Sequence, residues 1–420
     1  MKNIKWSAFL YAIVLGLLLP ACKIIKGNAG VEQIQYRNIF VEAGYSQEAI
    51  TQKIEKTFHQ LFFGNKETEA VYYRAGNNAN GMLGYIVDVN NNDVRSEGMS
   101  YGMMIALQCG NKEIFNALWN WAKTYMYQAD STHPAYGYFS WSLSVKGVPN
   151  DVMPAPDGEE YFATALYFAS VKWGDSSGIY HYQNEADKIT TAMRHRDTIT
   201  GKVGGRSRTT VNLFDEQAMM VRFTPDLGNA NHTDASYHLP AFYEVWARKA
   251  PVQDRDFWKK AATASRDYFE KAAHPVTALT PDYGNFDGTA WAAPWRRGSA
   301  NFSYDAWRSA MNWSVDWQWW KQDKRAIERS NRLLQFFMQE GINAYGHEYT
   351  LEGKKISNGH PVGLIACNAT AALCASHENR LDFVKALWNS EVPTGKYRYY
   401  DAMLMMMALL HCSRGFNAYL

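Results

Sequence analysis

The chain has 420 residues, of which 47% are hydrophobic, enough for one large core or two cores of ordinary size. Its formal net charge is +2, from 43 basic and 41 acidic residues, and this even balance argues against nucleic acid as a partner. Aromatic residues make up 15% of the chain, with 15 Trp and 26 Tyr. Their flat faces suit stacking on sugar rings, and a large helical core would use them equally well.

The N-terminus resembles the signal peptide of an exported lipoprotein. Lys2 and Lys5 precede a short apolar run from Ala8 to Leu19, which is too short to span a membrane comfortably. The run ends in Leu19-Pro20-Ala21-Cys22, which resembles the motif in which the Cys is lipidated. We therefore expect a signal peptide over 1–22, with Cys22 as the anchor on the periplasmic or outer-membrane side. Plain secretion and a retained N-terminal anchor remain alternatives.

Four cysteines follow the signal peptide: Cys109, Cys367, Cys374 and Cys412. An exported protein can pair its cysteines, but the neighbours of these residues are typical of buried helices, which favours free thiols. The Cys and His spacings do not resemble a zinc site, so we expect no metal and no cofactor.

Apolar residues recur at spacings of three and four through most of the chain, which is the pattern of amphipathic helices. The periodicity predicts helices over 47–62, 98–108, 112–127, 159–173, 184–194, 212–221, 236–249, 254–272, 304–320, 323–340, 361–376, 379–388 and 399–415. Ser46 and Ser303 stand at capping positions, and Pro361 suits a first helical turn. Strand-like alternation is weak, with short extended pieces expected at 137–143 and 347–351.

About a dozen helices without a long internal linker predict one all-α domain of stacked helical hairpins over 35–420, after a linker at 23–34. Periodicity alone does not distinguish a closed barrel from an open solenoid or two bundles. Long polar loops at 76–96, 131–157 and 274–303 are where function is expected.

Three carboxylates stand at predicted helix starts after these loops: Glu97, Asp157 and Asp305. Gly98, beside Glu97, allows close approach of chain or substrate. Arg308 lies three residues after Asp305, where the two side chains can pair on one helix face. Taken alone, Glu97 and Asp157 are also typical of capping acids at helix starts, and Asp305 with Arg308 is also typical of a structural ion pair.

Together the segments Glu97 to Met103, Ala155 to Ala169 and Tyr304 to Arg308 resemble glycoside hydrolase family 8, in the same order and at similar spacing. The resemblance covers Gln35 to Leu420. It implies an (α/α)6 barrel of six helical hairpins and hydrolysis of β-1,4-linked sugar chains with inversion at the anomeric carbon.

The resemblance also implies roles. Glu97 matches the general acid, Asp305 the general base, and Asp157 the residue that holds the distorted sugar. Tyr237 resembles the Tyr that positions the attacking water. The acid must keep its proton near neutral pH, which apolar neighbours favour. An inverting pair is expected about 6.5–9.5 Å apart, since a water must fit between base and sugar.

Substrate binding is expected from aromatic and basic side chains around the pair. Trp141 resembles a stacking residue of the family's cleft, and Arg95 is expected to bind sugar hydroxyls or to hold Glu97. Tyr304 and Arg308 flank Asp305 and are further candidates. For five more aromatic residues, a packing role and a binding role are equally open: Trp291, Trp295, Tyr397, Tyr399 and Tyr400.

Three segments, 156–162, 237–243 and 304–308, are most similar to the branch that releases xylose from the reducing end of xylo-oligosaccharides. In that branch a His-Pro loop narrows the cleft beyond the first leaving-group sugar. Gly359-His360-Pro361 resembles this loop, although the branch has a bulkier residue where Gly359 stands. His360 is expected to meet the reducing-end hydroxyl, or alternatively to cap the helix before Pro361.

We therefore expect a monomeric glycosidase that releases xylose from the reducing end of xylo-oligosaccharides. An endo-β-1,4-xylanase or endoglucanase of the same family is the main alternative. A non-catalytic glycan-binding lipoprotein would not need Glu97 and Asp305 together, and a structural helical lipoprotein would leave the three segments unexplained.

Overall fold

The computed structural model describes residues 36–420. The predictions for the signal peptide at 1–22, for Cys22 and for the linker at 23–34 lie outside the described residues. The described chain is mostly helical. Its α-helices are α1 Ile39–Glu42, α2 Gln47–Phe63, α3 Ser96–Gln108, α4 Lys112–Trp121, α5 Pro156–Trp173, α6 Tyr182–His195, α7 Pro240–Lys249, α8 Arg255–Ala272, α9 Tyr304–Trp320, α10 Arg325–Glu340, α11 Val362–Ala371, α12 Arg380–Asn389 and α13 Arg398–Cys412.

Six helices form a closed inner ring in the order α3, α5, α7, α9, α11 and α13, with α13 packing back on α3. An outer helix packs on each of them: α4 on α3, α6 on α5, α8 on α7, α10 on α9, α12 on α11 and α2 on α13. The expected (α/α)6 barrel is confirmed, and the ring closure that periodicity left open is settled by the contact between α13 and α3.

Burial explains why the two rings have different sequences. Nearly every residue of α3, α11 and α13 is buried, because an inner helix is covered on all sides. The outer helices α8 and α10 bury one face and expose the other. The outer helices therefore carry more charged side chains than the inner helices do.

The strands are short, antiparallel and confined to the loops. They are β1 Tyr72–Asn78, β2 Gly81–Ile86, β3 Asp93–Arg95, β4 Ser142–Ser144, β5 Pro149–Asp151, β6 Ile199–Val203, β7 Arg206–Thr210, β8 Phe214–Asp215, β9 Met220–Val221, β10 His232–Asp234, β11 Tyr283–Asn285, β12 Glu348–Tyr349 and β13 Lys355–Ser357. Two pairings join loops of different hairpins, since β3 pairs with β4 and β10 pairs with β11. These pairings fix the loops that precede α3, α5, α7 and α9.

The predicted helix at 212–221 is wrong, because this segment forms β8 and β9. The carboxylate of Asp215 accepts hydrogen bonds from the backbone N–H groups of Gln217 (3.0 Å) and Ala218 (2.6 Å). This side-chain turn competes with helical hydrogen bonding. The long loop at 76–96 contains β2, β3 and part of β1.

Two of the three predicted helix starts differ in detail. Ser46 caps α2 as predicted, accepting a hydrogen bond of 3.2 Å from the Ala49 N–H. Ser303 precedes α9 but does not cap it, because its hydroxyl donates to Asp282. Asp282 itself accepts the Ala306 N–H at 3.1 Å, so a distant carboxylate caps α9. Pro361 lies one residue before α11 rather than in its first turn.

Cys367, Cys374 and Cys412 are buried free thiols, as predicted. Cys109 is also buried but is not a free thiol, so the prediction is wrong for this residue. In residues 36–420, the helices lack the combination of length and apolar character needed to cross a bilayer.

Candidate active site

Four inner helices place a polar side chain at their second residue. Glu97 is second in α3, Asp157 in α5, Asp305 in α9 and Tyr399 in α13. The first turn of a helix has unpaired N–H groups and the positive end of the helix dipole, which favours acids there. Because inner helices of successive hairpins run in the same direction, the ring gathers these four positions at one end of the barrel.

Arg308 joins the three predicted carboxylates. Its Nη1 lies 2.6 Å from Asp157 Oδ2 and 3.0 Å from Glu97 Oε2, and its Nη2 lies 3.1 Å from Asp305 Oδ1. The expected pair of Asp305 and Arg308 is confirmed, and the same guanidinium also donates to Tyr101 and Ser236. A buried cation with several acceptors is well compensated, so Arg308 fixes the spacing of all three acids.

Glu97 has the environment of a general acid. Burial is the largest effect and raises the pKa of Glu97 to about 7, and the negative charges of Asp157 and Asp305 act in the same direction. Arg308 opposes this shift without cancelling it. The carboxyl group can therefore keep its proton near neutral pH, as the sequence analysis required.

Tyr399 holds the second oxygen of Glu97, donating a hydrogen bond of 2.8 Å to Oε1. Gly98 makes this contact possible, because a Cβ there would lie 2.6 Å from the Tyr399 hydroxyl oxygen. The close approach predicted at Gly98 is therefore an approach of α13 to α3. For Tyr399, the sequence left a packing role and a binding role equally open, and in the structure its hydroxyl contacts Glu97.

Asp157 is buried beside Glu97 because the starts of α5 and α3 nearly touch. A Cβ on Gly158 would lie 2.5 Å from the Ser96 hydroxyl oxygen and 3.2 Å from the Ser96 carbonyl carbon. Burial raises the pKa of Asp157, and Arg308 opposes that shift. Glycine at position 158 is thus required by helix contact.

Asp305 faces a second guanidinium that the sequence analysis missed. Arg296 Nη1 lies 3.4 Å from Asp305 Oδ2, and Arg296 Nη2 lies 2.7 Å from Asp282 Oδ2. Burial raises the pKa of Asp282 to about 7, with the nearby charge of Asp305 acting in the same direction. Asp282 and Arg296 both lie in the loop at 274–303. The length of this loop was the one feature of the sequence that pointed to them.

Two cavities flank Glu97 and Asp305 and share them, together with Arg95 and Arg296. We call the first the His360 cavity; it measures about 830 Å³. We call the second the Trp141 cavity; it measures about 630 Å³. The His360 cavity is also lined by Tyr304, Trp307, His347, Gly359, His360 and Tyr397, and the Trp141 cavity by Trp141, Asp157, Tyr237, Tyr283, Trp295 and Arg308. A chain of sugars can therefore lie across the carboxyl pair with units on both sides.

Two predicted binding residues meet in the Trp141 cavity. The Arg95 guanidinium lies 5.7 Å from the centre of the Trp141 ring, within reach of a cation–π contact. Arg95 forms ion pairs with Asp88 at 3.0 Å and Asp93 at 3.2 Å. Its ion-pair partners are thus Asp88 and Asp93, and its positive charge also acts to lower the pKa of Glu97. Tyr237 is almost fully buried and lines the same cavity.

The remaining aromatic candidates separate by position. Trp295 and Tyr397 are exposed and lie in the Trp141 and His360 cavities respectively. Trp291 stacks on His232 with ring centres 3.5 Å apart, which is a packing role. Tyr400 donates to the backbone carbonyl of Tyr304 at 2.8 Å and so supports the start of α9.

His360 lines its cavity from the segment before α11. Its Nδ1 donates to the carbonyl of Tyr345 at 2.9 Å, and the two rings meet edge to face. In the neutral imidazole this leaves Nε2 as a hydrogen-bond acceptor. The ring is thus anchored by Tyr345, which favours the cavity role over helix capping.

Comparison with known proteins agrees with this geometry. The family described as "Glycosyl hydrolases family 8" matches residues 80–414. The chain belongs to glycoside hydrolase family 8. It is therefore a glycosidase, and the inverting hydrolysis implied by the sequence resemblance applies to it. Its substrate is an oligosaccharide.

Three relatives show how the chain relates to branches of the family. The reducing-end xylose-releasing exo-oligoxylanase of Paenibacillus barcinonensis is 40% identical over 94% of this chain and 100% of the relative. A family 8 xylanase of Teredinibacter turnerae, solved with xylobiose and with xylohexaose, is 58% identical with a TM-score of 0.90, covering 91% of this chain and 98% of that one. Endoglucanase 2 of Ruminiclostridium josui is 28% identical over 78% of this chain and 65% of the relative.

Proposed function

We propose that this enzyme hydrolyses β-1,4-xylosidic bonds of xylo-oligosaccharides and releases xylose from the reducing end. The observation that carries the proposal is the carboxyl pair of Glu97 and Asp305, held by Arg308 between two cavities. The full-length similarity to the Paenibacillus barcinonensis exo-oligoxylanase supports the choice of sugar and of the end attacked.

The residues divide the reaction between them. Glu97 gives its proton to the glycosidic oxygen as the bond from that oxygen to the anomeric carbon breaks. A water attacks the same carbon from the opposite face and loses a proton to Asp305, which inverts the configuration. Asp157 holds the distorted sugar, and Tyr237 positions the water. The leaving xylose ends with the proton of Glu97.

The two cavities divide the substrate. The Trp141 cavity receives the sugars that keep the anomeric carbon, with Trp141 and Arg95 as the stacking and hydrogen-bonding partners. The His360 cavity receives the leaving xylose, with Tyr304 along its wall. The accepting Nε2 of His360 suits the free hydroxyl of a reducing-end sugar.

An endo-β-1,4-xylanase is the second candidate. The 58% identity to the Teredinibacter turnerae xylanase favours it, and so does the small residue at Gly359. The exposed Tyr397 in the His360 cavity would serve a further leaving-group sugar in that case.

Xylotriose and xylotetraose labelled at the reducing end distinguish the candidates, with cello-oligosaccharides, polymeric xylan and a Glu97→Ala variant alongside. Labelled xylose released first, and lost in the variant, supports reducing-end exo action. Labelled xylobiose from xylotetraose, or rapid shortening of polymeric xylan, supports endo action. Hydrolysis of cello-oligosaccharides instead would contradict the choice of sugar.

We also propose that the enzyme is exported and anchored to a membrane through a lipid on Cys22. The charged start, the short apolar run and the Cys that follows it support this. In cells, we expect the wild type to be found in the membrane fraction and to incorporate labelled fatty acid. We expect the Cys22→Ser variant to do neither. The expected monomer stays a prediction, which light scattering on the mature enzyme would test.

A further inference from the structure

Residues at both ends of the β12–β13 hairpin form part of the wall of the His360 cavity. His347 immediately precedes β12, and Gly359 follows β13 by two residues. Both line the cavity, next to His360 and Tyr304. Because the leaving xylose is proposed to lie in this cavity, a second leaving-group sugar would have to fit beside this wall, whose shape then decides how many sugars fit beyond the cut.

Gly359 is small because His347 occupies the space beside it. A Cβ on Gly359 would lie 2.5 Å from Nδ1 and 2.6 Å from Cε1 of His347, closer than van der Waals contact allows. The φ angle of Gly359 is not in the left-handed region, so its backbone does not demand glycine. The imidazole of His347 therefore occupies the space that a side chain at position 359 would otherwise fill.

His347 is held firmly in this position. Its Nδ1 lies 3.2 Å from the carbonyl oxygen of Gly359 and 3.1 Å from the Ser357 hydroxyl, and its Nε2 lies 3.4 Å from the Tyr304 hydroxyl. The ring meets Tyr304 and Trp307 edge to face, and its side chain is only 16% exposed. Trp307 Nε1 also donates to the His347 carbonyl at 3.0 Å. A side chain fixed by this many contacts is a rigid wall.

We propose that His347 is a specificity-determining residue, whose imidazole blocks the second leaving-group sugar in place of a bulky residue at position 359. This inference rests on the proposed reducing-end exo action. It assigns no catalytic step to His347, since discrimination comes from a steric clash with the longer leaving group.

The test uses three variants: His347→Ala, Gly359→Leu and the double variant. The His347→Ala variant lacks this imidazole. With labelled xylotetraose as the substrate, the ratio of labelled xylobiose to labelled xylose should therefore rise at least about tenfold. Gly359→Leu alone should lose stability, because its side chain meets the imidazole. In the double variant the leucine takes the vacated space, so xylose release should recover. His59→Ala, on the exposed face of α2, is the matched control.

The outcomes separate this inference from the proposed function. If the wild type releases labelled xylose and His347→Ala gives the same products, the inference is wrong and the proposed exo action stands. If the wild type itself releases labelled xylobiose, the exo action is wrong, and His347 is no barrier. If His347→Ala folds like His59→Ala but loses all cleavage, His347 has a different role and the inference is overturned.

Discussion

The hydroxyl of Tyr399 donates a hydrogen bond of 2.8 Å to Oε1 of Glu97, across the junction of α13 and α3. Glu97 also receives Arg308 on its other oxygen at 3.0 Å. Both contacts favour the charged carboxylate, yet burial outweighs them and the pKa of Glu97 stands at about 7. The acid is thus oriented by two donors without losing its proton.

Tyr399→Phe should move the pH dependence of kcat. Removal of one donor to the carboxylate raises the pKa of Glu97 further, by about one unit if the hydrogen bond contributes roughly 1.5 kcal/mol. Since the protonated acid is active, the alkaline limb should shift upward by that amount while kcat falls. A pH–rate profile on xylotriose checks this, with Tyr125→Phe, at an exposed tyrosine outside both cavities, as the control. An unmoved limb would mean that another group sets it.

Glu97→Gln and Asp305→Asn should each lose about 10²–10⁴-fold in rate on xylo-oligosaccharides. They should differ on an aryl xylobioside with an acidic phenol as the leaving group. Such a leaving group departs without protonation, so Glu97→Gln should recover most of its activity there and Asp305→Asn should not. Steady-state kinetics on the two substrates measure the contrast. Equal losses on both substrates would contradict the assigned roles.

Stability should fall as the pH rises from about 5 to about 8. Burial raises the pKa of Glu97 and of Asp282 to about 7, so between pH 5 and pH 8 these two groups bind more protons in the folded chain than in the unfolded one. Stability then decreases with pH through this window, by at least about 1 kcal/mol. Urea unfolding at the two pH values measures it. The double variant Glu97→Gln/Asp282→Asn should make the dependence shallower, with the remainder due to other buried carboxyls such as Asp401, whose pKa is raised to about 6. An unchanged slope in the double variant would assign the whole dependence to those other groups.

Asp282 should contribute both to the stability of α9 and to the position of Asp305. It caps α9 through the Ala306 N–H at 3.1 Å and holds Arg296 at 2.7 Å. Asp282→Ala should lose about 1–2 kcal/mol of unfolding free energy, and its kcat should fall. Asp282→Asn should keep most of the cap but lose the negative charge that faces Arg296. Urea unfolding and the split between kcat and KM on xylotriose separate the two effects. A positioning role requires Asp282→Asn to lower kcat with KM little changed; if kcat is unchanged, Asp282 is structural only.

The sequence predicted the helices well where apolar periodicity was strong. It failed at 212–221, because a local turn at Asp215 won over the helical pattern. It also missed the cap on α9, since Ser303 has a capping side chain but gives its hydrogen bond to Asp282. Both errors come from hydrogen bonds that periodicity does not encode.

The amino-acid sequence by itself determined a long series of amphipathic helices, with acids at the starts of three of them. That information is local, because helical periodicity and first-turn acids depend on neighbours within a few positions. Only the tertiary structure decided that the ring closes, that Arg308 reaches Glu97 from α9, and that His347 fills the space at Gly359. Glu97 and Arg308 are 211 positions apart, so their contact depends on helix packing, which leaves no periodic pattern in the sequence.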